Sequence, residues 1–332
     1  MAPTVRFAKS AANIFFHILT QCNLKCRHCY INPQQHGTQR LSLDTVRSWL
    51  ATLSRRSPGA DLIFLGGEPT LHPDLPEAIR SARKMGYRSI TIDTNGYLFN
   101  DILDRVTPQE VDFISFSLDG ASPATNDPIR GQGCFDACTQ GIRKAADKEF
   151  RTSLIYTVSG LNLDELKAVP MLLKELPIDR FFIQVIGLRG QSATSVGHPA
   201  EELQVTHDQW QTNVLPVARQ MAAQGLRVTY PKVFIDKNEP FECAGRVADN
   251  YFVFPNGRVY RCPLCEDFPL HSLSFENDRL IETAPINESD LFKLDIAEGC
   301  VMNKLIQPHN ISYRPDGSPV HKIACCLLKE EL

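Results

Sequence analysis

The sequence has no apolar run that approaches the ~20 residues needed to cross a membrane. Its N-terminal part also lacks a secretory pattern, because the apolar run at residues 14–19 is short, contains His17 and has no small-residue cleavage site after it. These absences argue against a membrane-spanning or exported protein. We therefore expect a cytoplasmic protein with no membrane partner.

The chain also lacks any block of like charges. Its 35 Lys and Arg residues and 38 Asp and Glu residues are interspersed, and the formal net charge is -3. A broad nucleic-acid-binding surface is basic, so we expect no nucleic-acid partner. Low-complexity tracts and short tandem repeats are absent as well, and a composition of 43% hydrophobic and 22% charged residues is that of a globular protein.

Cysteine, in contrast, is abundant, with 11 residues. In a cytoplasm that keeps thiols reduced, such cysteines are more often metal ligands than partners in disulfides. Cys22, Cys26 and Cys29 have the spacing C-x3-C-x2-C, which is one thiol too many for a disulfide and one too few for a closed tetrahedral site. An iron–sulfur cluster with one open iron fits this spacing best, while zinc and structural thiols stay as alternatives. His28 is poorly placed to chelate beside Cys29.

Short β-rich apolar runs alternate with stretches of helical spacing before residue 190. The predicted strands cover residues 13–19, 62–65, 89–92, 113–118, 152–158 and 181–186. The predicted helices cover residues 43–55, 75–85, 101–106, 135–148 and 163–176, with Ser42 as the N-cap of the first. Strands that alternate with helices form βαβ units around a parallel sheet. We therefore predict an α/β fold with either an open doubly wound sheet or a curved, barrel-like sheet.

Cysteine, glycine-rich or polar segments follow the first four predicted strands. They are the cysteine loop of residues 22–29, Gly66-Gly67-Glu68-Pro69, Thr94-Asn95-Gly96 and Asp119-Gly120. The carboxyl ends of parallel strands meet at one rim, and ligands bind at that rim in both kinds of sheet. The sequence therefore predicts one ligand site built from these four segments.

The pattern changes after residue 225. Asn256-Gly257 lies between two β-rich runs and predicts a two-residue hairpin turn. The tail holds more than half of the cysteines, namely Cys243, Cys262, Cys265, Cys300, Cys325 and Cys326. We predict a larger domain of residues 1–225 and a small cysteine-rich domain of residues 226–332 that is held together by metal.

The rim motifs together resemble the radical S-adenosylmethionine (radical SAM) superfamily. The matching segments are the C-x3-C-x2-C loop with the aromatic His28 before its third cysteine, then FLGGEPTLHP, TNG, SFSLDG and IRGQGCFDACTQGIRKA, in this order along the chain. The likeness covers residues 12–190 and returns at residues 243–262. It implies a partial (β/α)6 TIM-like barrel followed by a small C-terminal cysteine-rich domain that binds a cluster.

The resemblance also implies a role for each rim segment. Cys22, Cys26 and Cys29 hold a [4Fe–4S] cluster, and the amino and carboxylate groups of S-adenosylmethionine (SAM) chelate its open iron. The carbonyls of Gly66 and Gly67, whose backbone can approach the ligand closely, accept from the amino group. The other predicted SAM-binding residues are Glu68, Pro69, Asn95, Ser117, Asp119 and Arg130.

Five of these residues are assigned for specific reasons, and most of them have plain alternatives. Glu68 is an anionic neighbour of the amino group, and Pro69 stiffens a turn that could also be an ordinary surface turn. Ser117 and Asp119 could hold the ribose hydroxyls or form a helix cap or Asx turn. Arg130 could pair with the SAM carboxylate or be an exposed arginine. A β-branched residue at position 67 is expected to weaken SAM binding and to leave iron content unchanged.

The implied chemistry begins with one electron. A reductant such as flavodoxin or ferredoxin reduces the cluster, which cleaves SAM to methionine and a 5′-deoxyadenosyl radical. That radical abstracts a hydrogen atom from the substrate, while the protein supplies orientation and excludes water. The sequence singles out no catalytic acid or base.

The spacing of Cys243, Gly257 and Cys262, C-x13-G-x4-C, resembles the opening of the SPASM and twitch auxiliary-cluster domains. The rest of the SPASM pattern, C-x2-C-x5-C-x3-C, is missing, which favours a single auxiliary [4Fe–4S] cluster. Two further ligands are then expected from the remaining tail cysteines. The candidates are Cys265, Cys300 and Cys325, and Cys326 could take the place of the adjacent Cys325. A structural zinc site is the alternative. Cys134 and Cys138, one helical turn apart, are expected to be idle buried thiols.

We predict a radical SAM oxidoreductase or maturase that acts in peptide or protein maturation. Radical dehydrogenation of a small molecule, such as a sugar or an aminocyclitol, is the second hypothesis. Only a short segment precedes the first predicted strand, so we expect no N-terminal leader-peptide-binding domain. This expectation argues against recognition of a peptide by this chain without a separate partner. A non-catalytic iron–sulfur or zinc scaffold is a third hypothesis, and the intact cysteine loop followed by Gly66-Gly67-Glu68-Pro69 argues against it.

Overall fold

The computed structural model describes residues 5–194 and 200–332. Within these residues a 12-stranded sheet runs in the order β12-β11-β10-β9-β1-β2-β3-β4-β5-β6-β7-β14, and β13 pairs with β8 separately. The strands are β1 (Ala12–His17), β2 (Asp61–Leu65), β3 (Ser89–Thr94), β4 (Phe113–Ser117), β5 (Thr152–Val158), β6 (Arg180–Val185), β7 (Arg227–Pro231), β8 (Phe234–Ile235), β9 (Asp249–Val253), β10 (Arg258–Tyr260), β11 (Leu273–Glu276), β12 (Arg279–Glu282), β13 (Lys322–Ile323) and β14 (Lys329–Glu331).

Strands β1 to β7 form the parallel part of the sheet, in which each strand pairs with the next one along the chain. Their residues are mostly buried on both faces, as parallel strands covered by helices require. The sheet does not close, because its two edge strands are β12 and β14. The predicted α/β fold with a partial barrel is therefore confirmed.

Helices alternate with the strands of the parallel sheet and also occur in the tail. In the described residues they are α1 (Pro33–His36), α2 (Leu43–Arg56), α3 (Leu75–Lys84), α4 (Ile102–Arg105), α5 (Pro123–Arg130), α6 (Cys134–Asp147), α7 (Val169–Glu175), α8 (Gln191–Thr194), α9 (Ala200–Leu203), α10 (His207–Gln209), α11 (Leu215–Ala223), α12 (Ala244–Val247), α13 (Glu288–Leu291) and α14 (Val301–Ile306). A π-helical turn, Trp210–Val214, joins α10 to α11.

Local chemistry explains several helix boundaries. The Ser42 hydroxyl accepts from the Thr45 amide at 3.2 Å, so the predicted N-cap of α2 is present. The predicted helix at 163–176 is divided into a 3-10 helix, Leu163–Ala168, and α7. Pro170 lies in the first turn of α7, where a missing amide hydrogen costs nothing. Pro123 starts α5 in the same way, and this helix was not predicted.

The main core lies between the sheet and these helices. Fully buried phenylalanines project into it from β1, β2, β4 and β6, at Phe16, Phe64, Phe116 and Phe181. Each such side chain stabilises the fold by about 1.5–3 kcal/mol relative to an exposed one. Every helix in the described residues is too short or too polar to cross a membrane.

Strands of the tail extend both sides of this parallel sheet. β9 pairs in parallel with β1, with Phe252 beside Phe15, and β10 turns back along β9. The hairpin lies where the sequence predicts it, but it is not the predicted two-residue turn. The Gly257 amide donates to Phe254 O at 2.9 Å, so Pro255 and Asn256 are the central residues and Gly257 follows them at a φ of +88°. β14 pairs antiparallel with β7. Residues 226–332 thus share one sheet with the barrel, and the boundary near residue 225 stays a prediction.

Candidate active site

One cavity, with a volume of about 280 Å³, lies at the carboxyl ends of the parallel strands. Residues that the sequence singled out line it from four loops: Cys22, Cys26, Cys29, Gly66, Gly67, Asn95, Ser117 and Arg130. Glu68, Pro69 and Asp119 lie behind this lining and not in it. The fold therefore brings most of the predicted rim residues to one place.

The cysteine loop between β1 and α1 presents its three thiols to this cavity. The Leu24 amide donates to Cys22 Sγ at 3.3 Å, and Asn95 Nδ2 lies 3.8 Å from the same sulfur. Burial raises the pKa of Cys22 to about 11 and that of Cys26 to about 12. Thiolates in this place need a compensating positive charge, which iron ions would supply.

These donors fit the group that the sequence predicts, which is a cluster held by three thiolates with one open position. A single zinc ion would draw its thiolates to within ~4 Å of one another through bonds of ~2.3 Å. In the described ranges, no three His, Cys, Asp or Glu side chains are grouped for a single metal ion.

Gly66 and Gly67 pack against the backbone that leads into the cysteine loop. The Gly67 amide donates to Leu19 O at 3.2 Å, and the Glu68 amide donates to Gln21 O at 2.9 Å. A Cβ atom at Gly67 would lie 2.2 Å from Gln21 O, and one at Gly66 would lie 2.5 Å from Leu19 O. Glycine is required here because two backbone segments touch, in addition to any approach of a ligand.

This contact changes the expected effect of a substitution at position 67. Gly67→Val should lower both iron content and SAM affinity, because its side chain would push residues 20–21 and the adjoining Cys22 out of place. Iron analysis and equilibrium dialysis with SAM measure the two effects. Gly59→Ala is the control, since its Cβ would meet nothing within 4 Å and only the positive φ of 68° would oppose it. A Gly67→Val protein with full iron content would contradict this explanation.

Glu68 joins the ends of β2 and β3. Its Oε1 accepts from the Thr70 amide at 3.0 Å and from Thr94 Oγ1 at 2.9 Å, and its Oε2 accepts from the Asn95 amide at 2.8 Å. Burial raises the pKa of Glu68, and these donors oppose the shift. Glu68 therefore positions Asn95, which does face the cavity, and Pro69 begins the 3-10 turn Pro69–Leu71 beneath it.

A buried ionic group lies on the other side of the cysteine loop. Asp119 Oδ2 lies 2.6 Å from Arg130 Nε and 3.1 Å from His28 Nε2, and Asp119 Oδ1 accepts from the Thr157 amide at 2.8 Å. Cys26 Sγ in turn lies 3.6 Å from Arg130 O. Burial lowers the pKa of His28. In this arrangement Asp119 orients Arg130 and His28, while Ser117 is the residue from the end of β4 that lines the cavity.

A second, apolar cavity lies among the tail segments. Five thiols line it, from Cys243, Cys262, Cys300, Cys325 and Cys326, together with Phe292, Met302 and other apolar side chains. The Ala244 amide donates to Cys325 Sγ at 3.4 Å. Cys265 is fully buried beside Cys262 but does not line this cavity. Cys326 and Leu264 line both this cavity and the first one.

Sequence reasoning missed several ionisable side chains in the first cavity, among them Asp93 and Lys329. Burial raises the pKa of Asp93 to about 7 and lowers that of Lys329 to about 8. The Lys329 ammonium lies 3.9 Å from the Phe7 ring centroid. The predicted strand 89–92 stopped one residue before Asp93, whose carboxylate at the end of a short β-rich run was the available signal. Shifted ionisable groups in a cavity are candidates for contact with substrate.

The partial barrel thus offers three loop thiols as ligands for a cluster and, beside them, an open cavity with room for a small molecule. The family model described as the Radical SAM superfamily matches residues 17–173. This match includes the cysteine loop and the rim residues, so this part of the chain is similar to the radical SAM superfamily. That family implies a [4Fe–4S] cluster and SAM as cofactors.

Two relatives are similar over the barrel. The Fe-coproporphyrin III synthase of Methanosarcina barkeri is 32% identical over 195 residues, which are 57% of this chain and 48% of the relative. The pre-heme d1 synthase of Dinoroseobacter shibae is 28% identical over 191 residues, which are 57% and 46% of the two chains. The chain thus spans about half the length of these relatives.

Solved structures share the fold over more of the chain. Streptococcus suis SuiB has a TM-score of 0.64 at 13% identity, over 89% of this chain and 68% of its own, and another structure shows SuiB bound to its precursor peptide SuiA. Native anSMEcpe with bound AdoMet has a TM-score of 0.59 at 14% identity, over 89% of this chain and 83% of its own. At these identities the likeness is one of fold.

Proposed function

We propose that this radical SAM enzyme carries a second [4Fe–4S] cluster in its tail and carries out net oxidation or cross-linking in peptide or protein maturation. The observation that carries the proposal is the pair of thiol-lined cavities that share Cys326 and Leu264 as a common wall. A substrate in the first cavity would lie between the two sets of thiols. That placement suits a reaction in which a substrate radical must lose an electron.

In the first cavity we assign the cluster to Cys22, Cys26 and Cys29. With SAM bound, this cluster supplies the one-electron reduction that yields the 5′-deoxyadenosyl radical. The chain's own groups would do the positioning. Gly66 and Gly67 line the cavity at the carboxyl end of β2, where their carbonyls would accept from the amino group of SAM, and Ser117 lines it at the carboxyl end of β4. The Arg130 guanidinium, held by Asp119, provides a fixed positive charge for a carboxylate.

In the tail we assign the second cluster to Cys243, Cys262, Cys300 and Cys325. These four thiols line the apolar cavity together. Cys265, which was among the predicted ligands, lies beside Cys262 and outside that lining. Cys326 also faces the first cavity, and its adjacency to Cys325 makes binding of both to one cluster awkward.

Two substrate classes are in contention. The fold shared with SuiB, a protein solved with its precursor peptide, supports a peptide substrate. The names of the two relatives instead point to small molecules made in tetrapyrrole biosynthesis, which favours the small-molecule hypothesis. We place the peptide hypothesis first because the likeness to SuiB covers 89% of this chain, whereas the two relatives cover 57%.

Transfer of deuterium to 5′-deoxyadenosine tests the substrate class. Extract of the source organism, grown in heavy water, is separated into a macromolecular and a small-molecule fraction and added to reduced enzyme with SAM. We expect mass spectrometry to find deuterated 5′-deoxyadenosine with the macromolecular fraction and to find that prior protease treatment abolishes it. Label that comes only from the small-molecule fraction would favour the alternative.

A further inference from the structure

Arg189 lies between the cysteine loop and the tail. Its Nη1 donates to Pro263 O at 2.7 Å and pairs with the buried Glu266 carboxylate, and its guanidinium carbon is 4.6 Å from the Tyr30 ring centroid. Tyr30 follows Cys29, and Pro263 follows Cys262. The Arg189 guanidinium thus contacts Tyr30, which is next to Cys29 of the cysteine loop, and Pro263, which is next to Cys262 of the tail.

The backbone after Arg189 is held from the same two sides. The Gln191 amide donates to Cys29 O at 2.8 Å, and the Gly190 amide donates to Asp267 Oδ2 at 2.7 Å. A Cβ atom at Gly190 would lie 2.5 Å from Cys29 O, and its φ is +57°. This close packing on both sides fixes the place of the guanidinium relative to both thiol groups.

Arg189 is close to both groups of thiols. It lines the first cavity together with Cys29 and Cys326, and Pro263, which accepts its hydrogen bond, also lines the tail cavity. Because the Arg189 side chain is only 18% exposed, water and salt screen its field weakly.

We propose that Arg189 is a positioning residue whose fixed charge raises the reduction potentials of both iron–sulfur clusters. The proposal rests on the proposed function, since it requires a cluster in each thiol group. Reduction adds one negative charge to a cluster, so a nearby cation stabilises the reduced form, and net charge is a known determinant of cluster potential. Loss of that cation should make both clusters harder to reduce.

The test is a redox titration followed by electron paramagnetic resonance on the reconstituted full-length protein. Arg189→Met and Arg189→Gln should shift both midpoint potentials to more negative values at unchanged iron content. Arg189→Lys keeps the charge and should stay close to the wild type. The Gln variant can still donate to Pro263 O, so it serves if the Met variant fails to fold.

Arg180→Met is the matched control. Arg180 is buried, pairs with Glu331 and lies over Phe182 at 5.9 Å, but it is at the amino end of β6, away from both cavities. Its loss should leave both potentials unchanged. A merely structural role for Arg189 would lower iron content or stability without a common shift in potential.

The outcomes separate this proposal from the proposed function. Wild-type protein with a single cluster would contradict both. Wild-type protein with two clusters whose potentials do not move in either neutral variant would overturn the role of Arg189 alone. A shift of equal size in Arg189→Lys would also overturn it, because charge would then not be the cause.

Discussion

Replacing Cys22, Cys26 and Cys29 together with alanine is expected to remove about four of about eight bound irons, the content of one of two [4Fe–4S] clusters. Reductive cleavage of SAM should fall to background in the same protein. These thiols face the cavity from one loop, and burial already raises the pKa of Cys22 and Cys26. Without a cluster there is no open iron beside Gly66 and Gly67. Iron analysis and chromatography of 5′-deoxyadenosine measure the two effects.

Cys134→Ala is the matched control for this triple substitution. Cys134 is also a free thiol, is 1% exposed and lines neither thiol cavity. It should keep full iron content and SAM cleavage. SAM cleavage that survives in the triple variant, or equal iron loss in Cys134→Ala, would contradict the assignment of the cluster to this loop.

The second large effect is expected from Cys243→Ala combined with Cys262→Ala. This protein should lose the other four or so irons, keep some cleavage of SAM with dithionite and lose turnover of its substrate. The tail around this cavity has short helices and little core of its own, so its packing should depend on the bound group. Limited proteolysis should therefore cut within residues 226–332 faster than in the wild type.

The Cys265→Ala variant tests whether Cys265 is itself a ligand of the second cluster. Cys265 is fully buried beside Cys262 but outside the cavity lining, so this variant should keep both clusters. Retention of two clusters and full product formation in the double variant would make Cys243 and Cys262 ordinary core thiols. Loss of a cluster in Cys265→Ala would instead favour the ligand set that includes Cys265.

Strands β1 to β6 could be predicted because each is a short β-rich run bounded by polar or glycine-rich segments. The rim site followed from the same pattern, since carboxyl ends of parallel strands must meet. Contacts between distant segments could not be predicted in this way. Nothing in the sequence near Arg189 indicates that it would reach Glu266, and Lys329 enters the cavity only because β14 pairs with β7.

The roles of three rim residues also depend on packing that spacing does not encode. Glu68 accepts hydrogen bonds from Thr70, Thr94 and Asn95. Asp119 is engaged by Arg130 and His28, and Gly67 has no room for a Cβ beside Gln21. A motif can show that a residue type is needed at a rim. Only the contacts show whether the residue faces the cavity or orients a neighbour that does.

The most direct test of the account is the formation of 5′-deoxyadenosine by wild-type protein. The protein is reconstituted anaerobically with iron and sulfide, reduced with dithionite and incubated with SAM. The account predicts that 5′-deoxyadenosine and methionine accumulate in equal amounts, and that protein without reconstituted iron forms neither. A fully iron-loaded protein that binds SAM and forms no 5′-deoxyadenosine would contradict it.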